Sequence, residues 1–411
     1  MQLLRLRLLV AFAVLASAAT VARAQKTPVR LSLVPDLRID AKQIGGVRDM
    51  IFAVGPKGQI VTAMRGGWAG IRAFDSAGKS LEWDLPTGRN DKSEIGAPAA
   101  IGWAGDTMWV ADGAFDQIAL VDRTGKVLKS IERPTWVHPS WAERRKYPVF
   151  SRMLTVGVLG DQTMLVVPAR PRSLIDTPGF DRSASYVLRA TWDGAIRGTV
   201  ARLPVDPRMI TLRAKGCAHV MNVPFVAAPI WTTSSDGKRV TIVEPGVTAA
   251  DSGTVRITTI SDRGDTVFSK RYPMEMERFP QSAIDNYLST IGACGSFTAS
   301  ELRDSATRRL SPFKSPITGL LVDRDYNTWV LQEKGNERFA LLIDPRGDVS
   351  GIVTLPHEAP VAADRLGLWV FEPAKLRVPG TYVRYKLGPT NAQPPRSAPA
   401  AASSKQSRPP T

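Results

Sequence analysis

Apolar and polar residues alternate along most of the chain in short runs, and the runs are separated by turn residues rather than by long polar stretches. Alternation with a period of two is the signature of a half-buried strand. One kind of run breaks the alternation and is apolar almost throughout, ending in an acid or amide: MWVAD (108–112), VTIVE (240–244), TWVLQ (328–332) and LWVFE (368–372). Looser copies stand at QIVTA (59–63) and MLVVP (164–168), so the run recurs six times. The tight-turn signals GPKG, WAGD, LGDQ, SSDG, RDYN and DRLG precede the copies, as in a hairpin.

A second set of turns joins the next pair of strands: FDSAGKSL (74–81), VDRTGKVL (121–128), TWDGAI (191–196), SDRGDTVF (261–268) and IDPRGDVS (343–350). In these, Asp or Ser can bond back to the turn backbone while Gly takes the positive φ. Each unit is therefore strand, tight turn, strand, loop, strand, tight turn, strand. Six unequal copies with almost no helical periodicity predict an all-β fold, a six-bladed β-propeller of four-stranded antiparallel blades. The units are too long for a β-sandwich. The sixth lacks a strand after TYVRYKL (381–387), and VRLSLV (29–34) belongs to no unit, so the N-terminal strand is expected to complete the last blade as its outer strand.

GLLVDRDYNTWVLQ (319–332) and MWVADGAFDQIALVDRTGKVLKS (108–130) resemble NHL-type repeats of the six-bladed TolB-like propeller group, which also contains gluconolactonase-like and streptogramin-lyase-like proteins. The likeness spans about residues 44–387 and is sharp in the second and fifth units; the fifth departs from it with Tyr326-Asn327 where a Gly-rich turn is usual. It implies a fold, and an activity only weakly, because propellers host unrelated functions.

The ends differ from this body. Arg5 and Arg7, an apolar run from Leu8 to Ala19 and Ala22-Arg23-Ala24 predict a secretory signal over residues 1–24. The propeller is expected over 25–387, followed by a Pro-, Ala- and Ser-rich tail, 388–411, too poor in apolar residues to order itself. No transmembrane segment is expected in the mature chain, which should be exported, periplasmic or extracellular, and monomeric. The formal charge of +16 falls to +10 once the three arginines of the leader and three basic residues of the tail are set aside. A basic body favours anionic partners, but Lys and Arg are scattered rather than gathered into a stripe, so no nucleic acid is expected as a partner.

Function is sought on the face that carries the second-to-third loops and the crossovers between units, because these hold nearly all the insertions. The largest, 273–316, predicts two short helices: Ile284, Leu288 and Ile291 fall at helical spacing, and Thr298 with Glu301 forms a capping box. Cys217 and Cys294, the two cysteines of a chain bound for an oxidising compartment, are expected to form a disulfide tying this insertion to the preceding crossover. Trp136, His138 and Trp141 in one crossover, with Arg170 and Arg172 in a neighbouring loop, are the candidate ligand-binding residues. Aromatic planes with guanidinium forks suit an anionic ligand, a glycan or a protein partner.

His138, His219 and His357 all fall in crossovers, without the spacing of a zinc hydrolase. Asp112, Glu244, Gln332 and Glu372 end the second strands, where they either cap the turn or gather as oxygen ligands for Ca²⁺. No catalytic residue, resident metal or cofactor is assigned. The leading expectation is a binding module; the alternative, a Ca²⁺-type hydrolase or lyase, is what the resemblance implies.

Overall fold

The computed structural model describes residues 28–40, 50–65, 70–85, 95–132, 135–136, 151–168, 184–204, 208–214, 217–246, 253–293, 297–308, 310–311, 313–358, 360–365, 367–373 and 380–389. β1 (Val29–Asp40) stands apart from the units that follow it. The first blade is β2 (Met50–Val54), β3 (Ile60–Met64), β4 (Ile71–Phe74) and β5 (Ser80–Leu85). The second is β6 (Pro98–Ala104), β7 (Thr107–Asp112), β8 (Gln117–Val121) and β9 (Val127–Glu132). After β10 (Thr135–Trp136), β11 (Ser151–Val158), β12 (Thr163–Pro168), β13 (Ala184–Thr191) and β14 (Ile196–Pro204) make the third.

A hairpin, β15 (Met209–Ala214) and β16 (Cys217–Asn222), precedes the fourth blade: β17 (Ile230–Thr233), β18 (Arg239–Pro245), β19 (Thr254–Ser261) and β20 (Thr266–Pro273). The next crossover holds β21 (Glu277–Arg278), α1 (Gln281–Thr290), α2 (Ala299–Thr307) and β22 (Phe313–Lys314). The fifth blade is β23 (Ile317–Val322), β24 (Thr328–Lys334), β25 (Glu337–Ile343) and β26 (Val349–Thr354). β27 (Pro360–Asp364), β28 (Gly367–Glu372) and β29 (Thr381–Pro389) form the sixth, and β1 lies antiparallel to β29 as its fourth strand.

Burial explains the two sequence patterns. Second strands lie between neighbouring blades and are covered on both sides: β7 is buried from Met108 to Asp112, and β24 from Thr328 to Gln332. Hence the unbroken apolar runs. The outer strand β9 is exposed along most of its length and keeps the polar content of a solvent-facing edge. Each blade junction has its own apolar cluster: Ala53 with Met108, Trp109 with Met164, Leu165 with Ile242, Val243 with Val330, Trp329 with Leu368, and Trp369 with Phe74. The last of these joins the sixth blade to the first and shuts the ring. Full burial of one such large side chain is worth about 1.5–3 kcal/mol, so these junctions dominate the stability over any single hydrogen bond.

The short turns follow a common construction. Asp75 Oδ1 accepts from the amides of Ala77 and Lys79, both at 2.9 Å, and Gly78 takes φ +80°. Asp122 and Asp344 repeat this arrangement in the second and fifth blades. Every first-to-second and third-to-fourth turn is short, and all lie on one face. The opposite face carries the insertions, although its second-to-third connection in the fifth blade is only Gly335-Asn336.

Two features go beyond the sequence expectation. β1 runs past 29–34 to Asp40, with an irregularity between Pro35 and Leu37, and its first residues also pair in parallel with β26, Val29 opposite Gly351. The fifth and sixth blades thereby share one eight-stranded sheet. β10 pairs with β11, Trp136 opposite Ser151, and adds a strand inside the third blade. Among the described residues no helix is long and apolar enough to cross a membrane.

Candidate functional site

On the long-loop face two crossovers have packed into a cap with a core of its own. Met221 in β16 and Val223 just after it cluster with Ile291 at the end of α1 and with Phe297, Leu302 and Ala306 around α2. Tyr287 Oη donates to the Asn222 carbonyl at 3.0 Å, and Phe225 meets both Phe279 and Tyr287 edge-on. α2 starts where the capping box puts it: the Glu301 amide donates to Thr298 Oγ1 and the Thr298 amide to Glu301 Oε2. The expected helical insertion is thus present as two helices.

The central mouth of this face is set by the inner strands. The first strands of successive blades touch one another, β2 with β6, β6 with β11, β17 with β23, β23 with β27 and β27 with β2, and Thr233 Oγ1 closes the remaining gap by donating to the Val156 carbonyl at 2.9 Å. β11 enters the ring from the long-loop face at Ser151, and β10 pairs there on its axial side. The backbone of Trp136 therefore stands at the mouth of the central axis.

His138, Trp141, Arg170 and Arg172 lie outside the described residues, as does Cys294. Cys217 opens β16 and His219 lies within it. His357 is on the short crossover between the fifth and sixth blades, where its carbonyl accepts from Arg338.

Two of the residues ending second strands, Asp112 and Glu372, serve their own blades. Asp112 is fully buried, and its carboxylate accepts from the amides of Gly96, Ala97, Ala114 and Phe115 at 2.6–3.2 Å. It staples the loop, which is the capping role. Glu372 accepts from Tyr385 Oη at 2.8 Å and Arg38 Nη1 at 3.0 Å, tying β28, β29 and β1 together. Gln332 is buried, and Glu244 stands opposite Arg256. Among the described residues no group of three or more His, Cys, Asp or Glu is placed to hold a metal ion.

Sequence reasoning placed nothing on the short-turn face, yet an open cavity of about 630 Å³ lies there between the second and third blades. Lys129 and Glu132 of β9 form one wall, and the turns carrying Asp161-Gln162 and Trp192-Asp193 form the other. Lys129 Nζ sits 4.9 Å over the Trp192 ring, whose Nε1–H is buried without an acceptor among the described residues. Burial pushes Asp161 up, but Thr163 and Arg189 outweigh it and hold the carboxyl below its ordinary value. The Thr191 hydroxyl does the same for Asp193. Both acids are thus committed to their turns, leaving an aromatic wall beside a mixed-charge rim.

No protein-family model matches the chain, and no curated protein matches it. Solved structures do resemble it. A member of the DUF4221 family from Bacteroides vulgatus is similar over 88% of this chain and 100% of its own, with 9% identity and a TM-score of 0.48. A calcium-binding protein, regucalcin, from Agrobacterium tumefaciens matches over 90% and 99%, at 10% identity and a TM-score of 0.37. Virginiamycin B lyase from Staphylococcus aureus matches over 85% and 98%, at 13% identity and a TM-score of 0.38.

Proposed function

We propose that the chain is an exported binding module that holds a ligand or protein partner at the axial mouth of its long-loop face. The observation that carries this reading is β10: a strand built onto the inner side of β11 brings the Trp136 segment to the one point that all six blades surround. The cap, with an apolar core of its own, stands on the same long-loop face. Trp136, His138 and Trp141 would offer ring faces, and Arg170 and Arg172 forked donors, a combination suited to an anionic glycan or an acidic protein surface.

The test is binding of anionic oligosaccharides, sulfated and carboxylated, to the purified mature chain by calorimetry. Trp136→Ala and the double variant R170A/R172A are expected to abolish saturable binding while leaving the unfolding midpoint unchanged. Undiminished binding in both variants would overturn this placement. A calcium-specific thermal shift with the ion retained through dialysis would turn the assignment to a metal-assisted hydrolase or lyase.

A further inference from the structure

The third-to-fourth turns of the first five blades share one backbone frame. In each, the glycine amide donates to the carbonyl three residues before it: Gly78 to Asp75, Gly125 to Asp122, Gly194 to Thr191, Gly264 to Ser261 and Gly347 to Asp344. The second position of the frame holds Ser76, Arg123, Asp262 and Pro345 in four blades and Trp192 in the third. Since the same turn closes around Ser, Arg, Asp or Pro, a tryptophan is not required for the turn. Trp192 instead borders the open cavity of about 630 Å³ between the second and third blades. Its amide donates to the Gln162 carbonyl at 3.2 Å, which fixes its turn against the blade's other short turn, and part of the ring packs on the apolar junction that holds Met153 and Met164. Lys129, from the opposite wall, stands 4.9 Å over the ring, so that face is turned into the cavity. The Nε1–H is buried and has no acceptor among the described residues. A buried indole N–H normally finds a partner, and a group that fills the cavity can supply one.

The charges around the cavity decide what fits. Lys129 and Arg197 stand against Glu132, Asp161 and Asp193. Asp161 is already neutralised from within its own blade: it forms an ion pair with Arg189 and accepts from the Thr163 hydroxyl at 2.5 Å, while Arg189 Nε reaches Thr163 Oγ1 at 3.0 Å. Two cations therefore remain against two carboxylates, and a simple anion meets as much repulsion as attraction. A simple cation fares no better, because it would have to displace the Lys129 ammonium from the ring and then lie beside it. An uncharged polar ligand suffers from neither. Carboxylates accept hydrogen bonds and ammonium or guanidinium groups donate them, so a rim of both kinds matches hydroxyl groups, which do either. Asp193 keeps capacity for this: the Thr191 hydroxyl and the Ala195 amide both bond to Oδ1, and a carboxylate accepts at both oxygens.

We propose that the cavity between the second and third blades binds an uncharged saccharide, with the C–H face of one sugar ring laid on Trp192 and its hydroxyls shared among Lys129, Arg197, Glu132 and Asp193. A sugar oxygen accepts from Trp192 Nε1–H. Lys129 is exposed, and turns from the ring to a hydroxyl when the sugar takes its place. The volume falls within the range of about 300–1,000 Å³ usual for small-molecule sites. Both walls belong to β9 and to the short turns of the third blade, so binding orders no long loop.

The test is calorimetric titration of the mature chain with glucose, galactose, mannose, N-acetylglucosamine, maltose, cellobiose, lactose and chitobiose, with sodium acetate and methylammonium chloride as charged controls at matched ionic strength. Saturable binding of at least one saccharide is expected, weakened about tenfold or more in Trp192→Ala and less in Trp192→Phe, which keeps a ring face and loses the N–H donor. Binding should be unchanged in Arg346→Gln, which alters an exposed residue on the corresponding turn of the fifth blade. The indole N–H resonance that vanishes in Trp192→Phe should shift with the same saturation in the unmodified chain, a response that a merely structural ring would not give. Should Trp192→Ala lower the unfolding midpoint, Glu132→Gln, an exposed side chain on the other wall, is the second variant and is expected to weaken binding severalfold. No saturable response to any of these saccharides, a response to the charged controls alone, or full affinity in both Trp192→Ala and Glu132→Gln overturns the site. Failure of anionic oligosaccharides to bind at the long-loop mouth leaves it standing, since the two sites share no residue and lie on opposite faces.

Discussion

Arg384 grips Asp36 with two parallel hydrogen bonds, Nε to Oδ1 and Nη2 to Oδ2, each of 3.0 Å, across 348 residues of sequence. The guanidinium is 8% exposed and lies over the Trp369 ring, while Lys386 Nζ reaches Asp36 Oδ2 at 2.7 Å. A forked pair of this kind adds geometric specificity to its energy. It pins the irregular point of β1 to β29, and so fastens the strand that closes the ring.

Replacing Asp36 by Asn leaves that guanidinium buried without its counter-charge, and a loss of about 2–3 kcal/mol at neutral pH is expected. Burial pushes Asp36 upward, but the hydrogen bonds from Arg384 and Lys386 outweigh it and hold the carboxyl below its ordinary value. Such a group stabilises the fold above its unfolded pKa, near 3.9, and ceases to do so as pH falls through the lower folded value. Urea denaturation of both proteins at several pH values checks this: the gap between them should narrow below about pH 4. A gap that is constant with pH would refute the electrostatic account.

Trp369 Nε1 donates to Asp364 Oδ2 at 2.8 Å, and Trp329 Nε1 to Asp323 Oδ2 at 3.2 Å. In the second blade the position equivalent to Asp364 is Ala104: each is paired with the residue two before the tryptophan, Gly367 or Thr107. Trp109 Nε1 is accordingly buried without an acceptor among the described residues. Asp364→Ala is expected to cost about 1–3 kcal/mol, and Ala104→Asp to add about 1 kcal/mol. Denaturation midpoints give both signs, and the indole N–H resonance of Trp109 should move on acquiring its acceptor.

Five of the seven tyrosines should be harder to ionise than a free phenol, Tyr287 among them through burial. Burial pushes Tyr326, Tyr382 and Tyr385 up to about 12, helped by Asp236 at Tyr326 and Glu372 at Tyr385. Tyr272, buried and donating to the Gly347 carbonyl at 2.7 Å, goes higher still. Their stabilising contribution is complete below about pH 10 and disappears as pH climbs through these raised values. An ultraviolet phenolate titration should therefore show two steps in the folded chain and one, near 10, in urea. A single step in both would contradict the packing around these rings.

The expected bond between Cys217 and Cys294 links segments that the cap core joins, since β16 and the end of α1 both feed it. In protein purified without reductant, both thiols should resist alkylation until reduced, and reduction should lower stability by about 2–4 kcal/mol. Two freely alkylated cysteines in the folded chain would show that the cap is held by its apolar core alone.

Much of this architecture was legible in the sequence because it is local. Asp75, Asp122 and Asp344 bond to amides two and four residues onward, so their turns can be read within a short window. The Thr298–Glu301 box is likewise local, and the burial that makes 328–332 apolar throughout leaves its mark residue by residue. What escaped notice depends on distant partners. Tyr326 meets Asp236 across 90 residues, so the same Tyr326-Asn327 that marks a departure from the repeat could not announce why it departs. The parallel pairing of β1 with β26 has no sequence period of its own, and β10 is only two residues long. The Trp192 cavity arises where turns of two blades face each other, a relation that no single turn encodes.

Because β1 completes the last blade and also pairs with the outer strand of the fifth, its full set of partners exists only when both β26 and β29 are in place. Ser32 Oγ donates to the Gly388 carbonyl across 356 residues, so the ring is shut by a contact of very high sequence separation, whose loop-closure entropy must be met before the strand is rewarded by pairing.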